Sequence, residues 1–378
     1  MRATKAIIHL DRFCRNLQGV RQKIGPKPRI CVPVKAGAYG HGAAKIAAAA
    51  LDAGAAWLAV ATVGEGAELR EAGIGAPILL LSLPLPEELP EVVSLGLIPL
   101  VSDRDFIWEA AEAAKKAGKT LEVHLKIDTG MGRQGCSPGE AVEMAACIVR
   151  EKHLTLGGTA THLAAADSSA PEDVAYTKKQ LARFREGVEG IRRAGFDPGI
   201  VHGANSGGVV FHEDSWFDMV RPGILLYGYS PGPGAPEVTP VMEFLTRVTF
   251  MKKVKQGEAV SYGRTWTAPR DTVIATLPVG YADGLSRGLS GKFPVTIKGA
   301  RYPLVGRICM DQCMADLGPD PDIRRWEEAT IFGPGTVTAA DMAAVLGTIP
   351  YEITCNINKR VPRIYLDSRR PVPIGGLP

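Results

Sequence analysis

A chain of 378 residues is long enough for two domains and a sizeable core. Its 46% apolar and 22% charged residues match folded soluble proteins, which excludes a disordered or low-complexity chain. The net charge of +4 is small and the basic pairs Arg192-Arg193, Arg324-Arg325 and Arg369-Arg370 are scattered, so nothing points to nucleic acid.

The first ten residues read as a strand, whose apolar run is too short and whose charge comes too early for a secretory signal. From residue 30 to about 228, apolar runs alternate with helical patterns, at 30–36, 56–62, 77–83, 97–101, 121–128, 154–162, 200–205 and 217–227. Eight such runs predict a (β/α)8 barrel. Ser137-Pro-Gly-Glu140 and Ser169-Ala-Pro-Glu172 read as capping boxes with proline at the first helical position. In the fifth run Leu121, Val123, Leu125 and Ile127 alternate with Glu122, His124, Lys126 and Asp128. In a barrel covered by helices the polar set faces inward near the mouth; in an open antiparallel sheet it would face solvent.

The segment Tyr229-Ser-Pro-Gly-Pro-Gly-Ala-Pro236 reads as a linker. Beyond it, β-rich stretches at 242–254, 272–280 and 293–309 predict a mostly β second domain, in which only Ala339 to Leu346 reads as helical. The expected division is therefore 1–10, 11–235 and 236–378, with a loosely held tail from Ser368 to Pro378. No uncharged stretch reaches the roughly 18 residues of a membrane-spanning helix. The seven cysteines are odd in number and spread without a CxxC pair, which argues against a disulfide framework and a zinc site and for reduced thiols in the cytoplasm.

Chemistry concentrates where a barrel would place it, after the strand ends: Lys35, Lys126 with Asp128, His162, Asn205-Ser206, and Arg221 with Gly223. In Ile30-Cys-Val-Pro-Val-Lys35-Ala-Gly-Ala-Tyr39-Gly-His-Gly42, a lysine ends an apolar strand and opens a glycine-rich turn. Burial there favours the neutral amine that attacks an aldehyde, although a single such lysine also fits a plain surface residue. The loops after runs seven and eight offer Ser206 and the backbone N–H groups around Gly223-Ile224 to a phosphate.

The lysine segment resembles the pyridoxal-phosphate motif of bacterial alanine racemases. The resemblance continues at Lys126-Ile-Asp128-Thr-Gly-Met-Gly-Arg133, Thr161-His162, Asn205-Ser206 and Arg221-Pro-Gly223-Ile224. It then runs through Ser261-Tyr262-Gly, Gly280-Tyr281-Ala-Asp-Gly, Cys309-Met310-Asp311, Tyr351-Glu352 and Arg360-Val-Pro-Arg. It implies a homodimeric isomerase that interconverts L- and D-alanine, supplying D-alanine for peptidoglycan. Lys35 would carry pyridoxal phosphate as a Schiff base. Tyr39, Ser206, Gly223, Ile224 and Tyr351 would surround the phosphate, Asn205 would also bind the cofactor, and Arg221, linked to His162, would face the ring nitrogen.

Racemisation needs a proton carrier on each face of the substrate. The resemblance assigns these to Lys35 and to Tyr262 of the other subunit, with Met310 and Tyr281 lining the shared entrance. Arg133 would meet the substrate carboxylate, and Lys126 would carry a carbamate that holds Arg133; without the modification Lys126 would pair with Asp128 or Glu122. One departure is visible, Gly37, where the family usually has asparagine or aspartate. The competing readings are a basic amino-acid decarboxylase, a serine racemase, and a barrel-only pyridoxal-phosphate carrier. An arginine at 221 disfavours the first, and the roughly 140 residues beyond the barrel disfavour the last.

Overall fold

The computed structural model describes residues Arg2–Ser368, which form two compact units, one of residues 13–38 and 43–238, the other of residues 2–12, 39–42 and 239–368. Met1 and residues 369–378 lie outside the described residues, and with them most of the expected loose tail. Ser368 itself donates to Asp11 at 2.8 Å.

A short strand, β1 (Lys5–His9), precedes the helix Leu10–Ile24. The larger unit then supplies β2 (Arg29–Pro33), β3 (Trp57–Val60), β4 (Ile78–Leu80), β5 (Leu97–Val101), β6 (Leu121–Lys126), β7 (Leu154–Ala160), β8 (Ile200–His202) and β9 (Met219–Val220). They close a parallel barrel in sequence order, sealed where Arg29 pairs with Met219 and Ile30 with Val220. All eight apolar runs became strands, because a barrel strand is buried on both faces and reads as a continuous apolar stretch. Helix starts follow ordinary capping chemistry: Thr62 opens Val63–Glu71, and Asp103 Oδ1 accepts from Phe106 N at 2.9 Å to open Arg104–Lys116.

The two expected capping boxes fared differently. Ser137 N donates to Glu140 Oε2 at 2.8 Å as read. At the second, Pro171 takes the first helical position of Pro171–Arg193, which places Ala170 rather than Ser169 at the cap, and no side chain caps it.

Inside the barrel, Cys31, Trp57, Ala59, Leu79, Ile98, Leu100, Ala160 and Met219 form one apolar cluster. Strand β6 places no apolar side chain in that cluster and β8 only the partly buried Ile200; they point the fully buried imidazoles His124 and His202 inward instead. The polar face of β6 therefore looks into the barrel, with the His124 ring 5.3 Å from that of Trp57.

The second unit is built on a nine-stranded sheet. Its strands are β10 (Met242–Arg247), β11 (Phe250–Val254), β14 (Thr272–Leu277), β15 (Pro294–Ile297), β16 (Ala300–Val305), β17 (Cys313–Asp316), β18 (Glu328–Phe332) and β19 (Arg363–Leu366), with β1 between β10 and β19. A separate hairpin, β12 (Ala259–Val260) with β13 (Trp266–Thr267), brackets Tyr262. Ala339–Leu346 is helical as read, but so is Pro350–Cys355, which carries Tyr351. Six residues opened by a proline are too few to show a helical period, so this helix escaped the pattern. Among the described residues no helix is long and apolar enough to cross a membrane.

Candidate active site

The site begins where β2 ends. Tyr227, fully buried and packed on Phe13 with ring centroids 5.6 Å apart, donates its hydroxyl to the Pro33 carbonyl at 2.8 Å and so fixes the strand end. Immediately after Lys35 the backbone turns left-handed, with φ of 52° at Ala36, 60° at Gly37, 54° at Ala38 and 54° at Tyr39. Three of these residues carry a Cβ, and a left-handed conformation costs such residues roughly 1–2 kcal/mol each. Gly37 avoids that cost, and nothing lies within 4 Å of the Cβ it lacks.

Around the barrel mouth the side chains form a cationic cluster. Burial comes first in holding the His162 imidazole well below 6.5, followed by the charges of Arg221, Lys126, Arg133 and Lys35. His162 is thereby neutral, and the four cations are electrostatic neighbours. Arg221 is buried, and its guanidinium is lowered to about 10 by burial. It donates to His202 Nδ1 at 2.5 Å, to the Thr161 carbonyl at 2.7 Å, and to His162 Nδ1 and the Gly203 carbonyl at 3.4 Å.

Because a guanidinium only donates, both imidazole Nδ1 atoms must accept, and each Nε2 must carry the proton. The Nε2–H of His202 then donates to His124 Nδ1 at 2.8 Å, and His124 Nε2 reaches Glu122 Oε1 at 3.4 Å. His202 and the Glu122–His124 pair were missed as site residues. Their signal was present in the polar face of the fifth run and in the histidine of the seventh, but neither shows what it touches.

Lys126 is buried, and its ammonium is lowered to about 7 by burial first and then by Arg221. Its hydrogen bond goes to the Ile127 carbonyl at 3.4 Å. The expected alternative pairing with Asp128 or Glu122 is not made. Glu122 faces His124, and Asp128 spends its carboxylate on the N–H groups of Gly130, Met131 and Gly132. Burial raises the Asp128 carboxyl, yet those three donors hold it below its ordinary value. They also shape the loop that carries Arg133, which is exposed.

Asn205 caps the helix Ser206–Phe211, with its Oδ1 accepting from Gly208 N at 3.0 Å and its Nδ2 held by the Leu163 carbonyl at 3.1 Å. Ser206 Oγ accepts from Gly223 N at 2.9 Å and from Leu225 N at 3.3 Å. The Gly223 N–H is thus spent on Ser206, not held open for a phosphate as the sequence suggested. With both lone pairs engaged, the hydroxyl has its proton left to give, which suits an anion. Ile224 follows in the buried turn of this segment.

The second unit holds the remaining residues. Tyr39 and Tyr351 face each other with ring centroids 5.9 Å apart. Burial, with Tyr351 and Cys355 nearby, pushes the Tyr39 phenol up, so it stays a proton donor. Gly40 is required beside them: at φ +85°, any Cβ would lie 2.0 Å from the Thr354 carbonyl oxygen. Tyr262 is 71% exposed on a turn whose Ser261 has φ 70° and whose Arg264 has φ 48°. Tyr281 and Met310 are exposed neighbours, joined where Tyr281 N donates to the Cys309 carbonyl and Ala282 N to that of Met310. Behind them the fully buried Asp283 takes Arg2 and Arg360, and Arg360 also holds Asp311 at 2.7 Å.

Comparison with known proteins agrees with both units. The alanine racemase N-terminal domain family matches residues 8–231, and the C-terminal domain family residues 241–365. An alanine racemase of Treponema denticola is 51% identical over 376 residues, spanning 97% of this chain and 99% of the relative. The structure of an alanine racemase of Clostridium difficile superposes with a TM-score of 0.92 at 36% identity, covering 97% of each chain. That of Bacillus anthracis with bound L-Ala-P gives 0.91 at 34% identity, covering 98% of this chain and 96% of the other. On this barrel, this sheet and these matches along nearly its whole length, the chain belongs to the alanine racemase family.

Proposed function

We propose that this isomerase interconverts L- and D-alanine with pyridoxal phosphate held by Lys35, in a homodimer whose partner subunit supplies Tyr262. The residues fit that cofactor on chemical grounds: four cations gather at the barrel mouth, Ser206 has a proton to donate, and Tyr39 stays protonated. A phosphate and a carboxylate would neutralise what is otherwise mutual repulsion. Pyridoxal phosphate, when bound, supplies a conjugated carbonyl that acidifies the Cα–H of an attached amino acid.

The observation that carries the reading is Arg221. Its hydrogen bonds go to two imidazoles and two carbonyls, so it can offer a hydrogen bond to the ring nitrogen without offering a proton. That limits how far charge is drawn into the ring and favours simple return of the proton to Cα over decarboxylation. Lys35 moves the proton on one face and Tyr262 on the other, while Arg133 orients the substrate carboxylate. In the barrel unit Ser206 gives its proton to the phosphate while holding the Gly223 N–H, with Asn205 and Ile224 as further cofactor residues, and the second unit contributes Tyr39, Tyr351, Met310 and Tyr281. The exposure of Tyr262 on a strained turn supports a role completed by a second copy.

The test is to incubate protein and cofactor separately with L-alanine, L-serine and L-lysine and resolve the enantiomers. D-alanine should form fastest. Release of carbon dioxide without racemisation would reverse the reading.

A further inference from the structure

The left-handed turn after Lys35 is held by a side chain from another strand end. Glu65 lies in the first turn of the helix Val63–Glu71, where a glutamate ordinarily completes a capping box on its own helix. One of its oxygens does so: Oε2 accepts from Ala61 N at 2.8 Å and from Thr62 N at 3.3 Å, and Thr62 Oγ1 accepts from Glu65 N at 3.3 Å. The other oxygen leaves the helix. Glu65 Oε1 accepts from the backbone N–H of Ala36, the residue joined to Lys35, at 2.5 Å. One carboxylate thus ties the ends of β2 and β3 together at the point where the backbone turns left-handed.

We infer that Glu65 is a positioning residue for Lys35, holding the strained turn so that the lysine amine keeps its line to the cofactor and to the substrate Cα. The inference rests on the proposed role of Lys35. Four consecutive residues in left-handed geometry, three of them with a Cβ, persist only where the surroundings fix them. Val34 and Ala38 supply one internal bond, from Ala38 N to the Val34 carbonyl at 2.7 Å, and the N–H of Ala36 would otherwise face solvent. Displacing a reacting group by about 1 Å costs on the order of a hundredfold in rate without changing what the site binds. Losing the clamp should therefore show in kcat more than in KM.

Two variants separate this role from plain helix capping. Glu65→Gln keeps one carbonyl oxygen, which the two N–H donors of Ala61 and Thr62 claim for the cap against the single donor of Ala36, so the amide nitrogen, which cannot accept, is turned toward Ala36. Thr62→Ala removes the hydroxyl half of the capping box and leaves the contact with Ala36 alone. Amide hydrogen exchange of the peptide spanning residues 34–42 is measured on the cofactor-free proteins, and kcat, KM and thermal midpoint on the holoenzymes.

In Glu65→Gln, exchange of this peptide should quicken and kcat should fall by about tenfold or more with KM within about twofold. In Thr62→Ala, the thermal midpoint should drop with exchange at 34–42 and kcat unchanged. Equal losses in both variants, in proportion to their midpoints, would reduce Glu65 to a cap and overturn the inference, as would unchanged exchange in Glu65→Gln. Should that variant fail to fold, an ester in place of the Ala36 amide removes the same donor and must give the same kcat loss. Borohydride trapping of cofactor on wild-type Lys35 is the companion measurement. If the label falls on another lysine, the reading of Lys35 fails; if it falls on Lys35 and Glu65→Gln behaves as wild type, only the clamp fails.

Discussion

Arg221 Nη1 meets His202 Nδ1 at 2.5 Å in the closed interior of the barrel, and this one contact sets the tautomers of a buried relay that ends at Glu122. His202 and His162 both lie well below 6.5, through burial first and the Arg221 charge second. The folded state therefore refuses protons that the unfolded chain accepts. Stability is complete above about 6.5 and falls as the pH drops below it, by up to about 1.4 kcal/mol per unit for each ring. Urea midpoints of wild type should fall between pH 7.5 and 5.5, and those of His202→Gln should fall less steeply. Parallel slopes would remove His202 from this account. His202→Leu, which takes one acceptor from Arg221 and the donor from His124 Nδ1, should cost about 1.5–3 kcal/mol at pH 7.5.

Lys35→Ala should abolish the visible absorbance of bound cofactor and nearly all activity while the protein stays folded. The measurement is absorbance with borohydride reduction and peptide mapping. An adduct retained on a different lysine would sink the assignment.

Lys126 should carry a carbamate. Its ammonium, lowered to about 7 chiefly by burial, leaves a large share of neutral amine at neutral pH. The Nζ lone pair bonds the carbon of carbon dioxide and one proton leaves, which converts a cation beside Arg221 and Arg133 into an anion that can hold them. Labelled bicarbonate should give a carbon-13 carbamate signal, and a high-resolution density map should show the added atoms. A bare ammonium in both would refute the modification.

Tyr262→Phe should impair proton exchange unequally from the two enantiomers, read as solvent-deuterium incorporation into recovered L- and D-alanine. If Tyr262 serves the partner's Lys35, mixing Lys35→Ala with Tyr262→Phe should restore activity. Random pairing makes half the dimers hybrid, and one of the two sites in each hybrid is intact, so recovery should approach roughly a quarter of wild type. Hybrids verified by differently tagged chains that show no recovery would exclude the shared site.

Gly37→Asn should be accepted with a loss of no more than about 1 kcal/mol, since asparagine tolerates the left-handed region and its Cβ meets nothing within 4 Å. Gly37→Val should lose clearly more, because a β-branched residue fits that backbone poorly. Equal thermal midpoints for the two variants would contradict the left-handed turn.

Much of this protein was legible in its sequence because the signals are local. Eight double-buried strands read as eight apolar runs, and the alternation from Leu121 to Asp128 already separated the covered face of β6 from the inward one. Lys35, Arg221 and Tyr262 stand in motifs that make them candidates. The tertiary structure alone decided how these residues are held. Periodicity carries no φ angle, so the left-handed run through Tyr39 was invisible, and a glutamate at a helix start looks like a cap whether or not its second oxygen reaches Ala36. His124 and His202 lie 78 residues apart, and only closure of the barrel makes them neighbours and gives Arg221 its acceptors. Side-chain chemistry is written in the order of residues; the partner that fixes a tautomer, a rotamer or a strained turn is supplied by chain segments distant in that order.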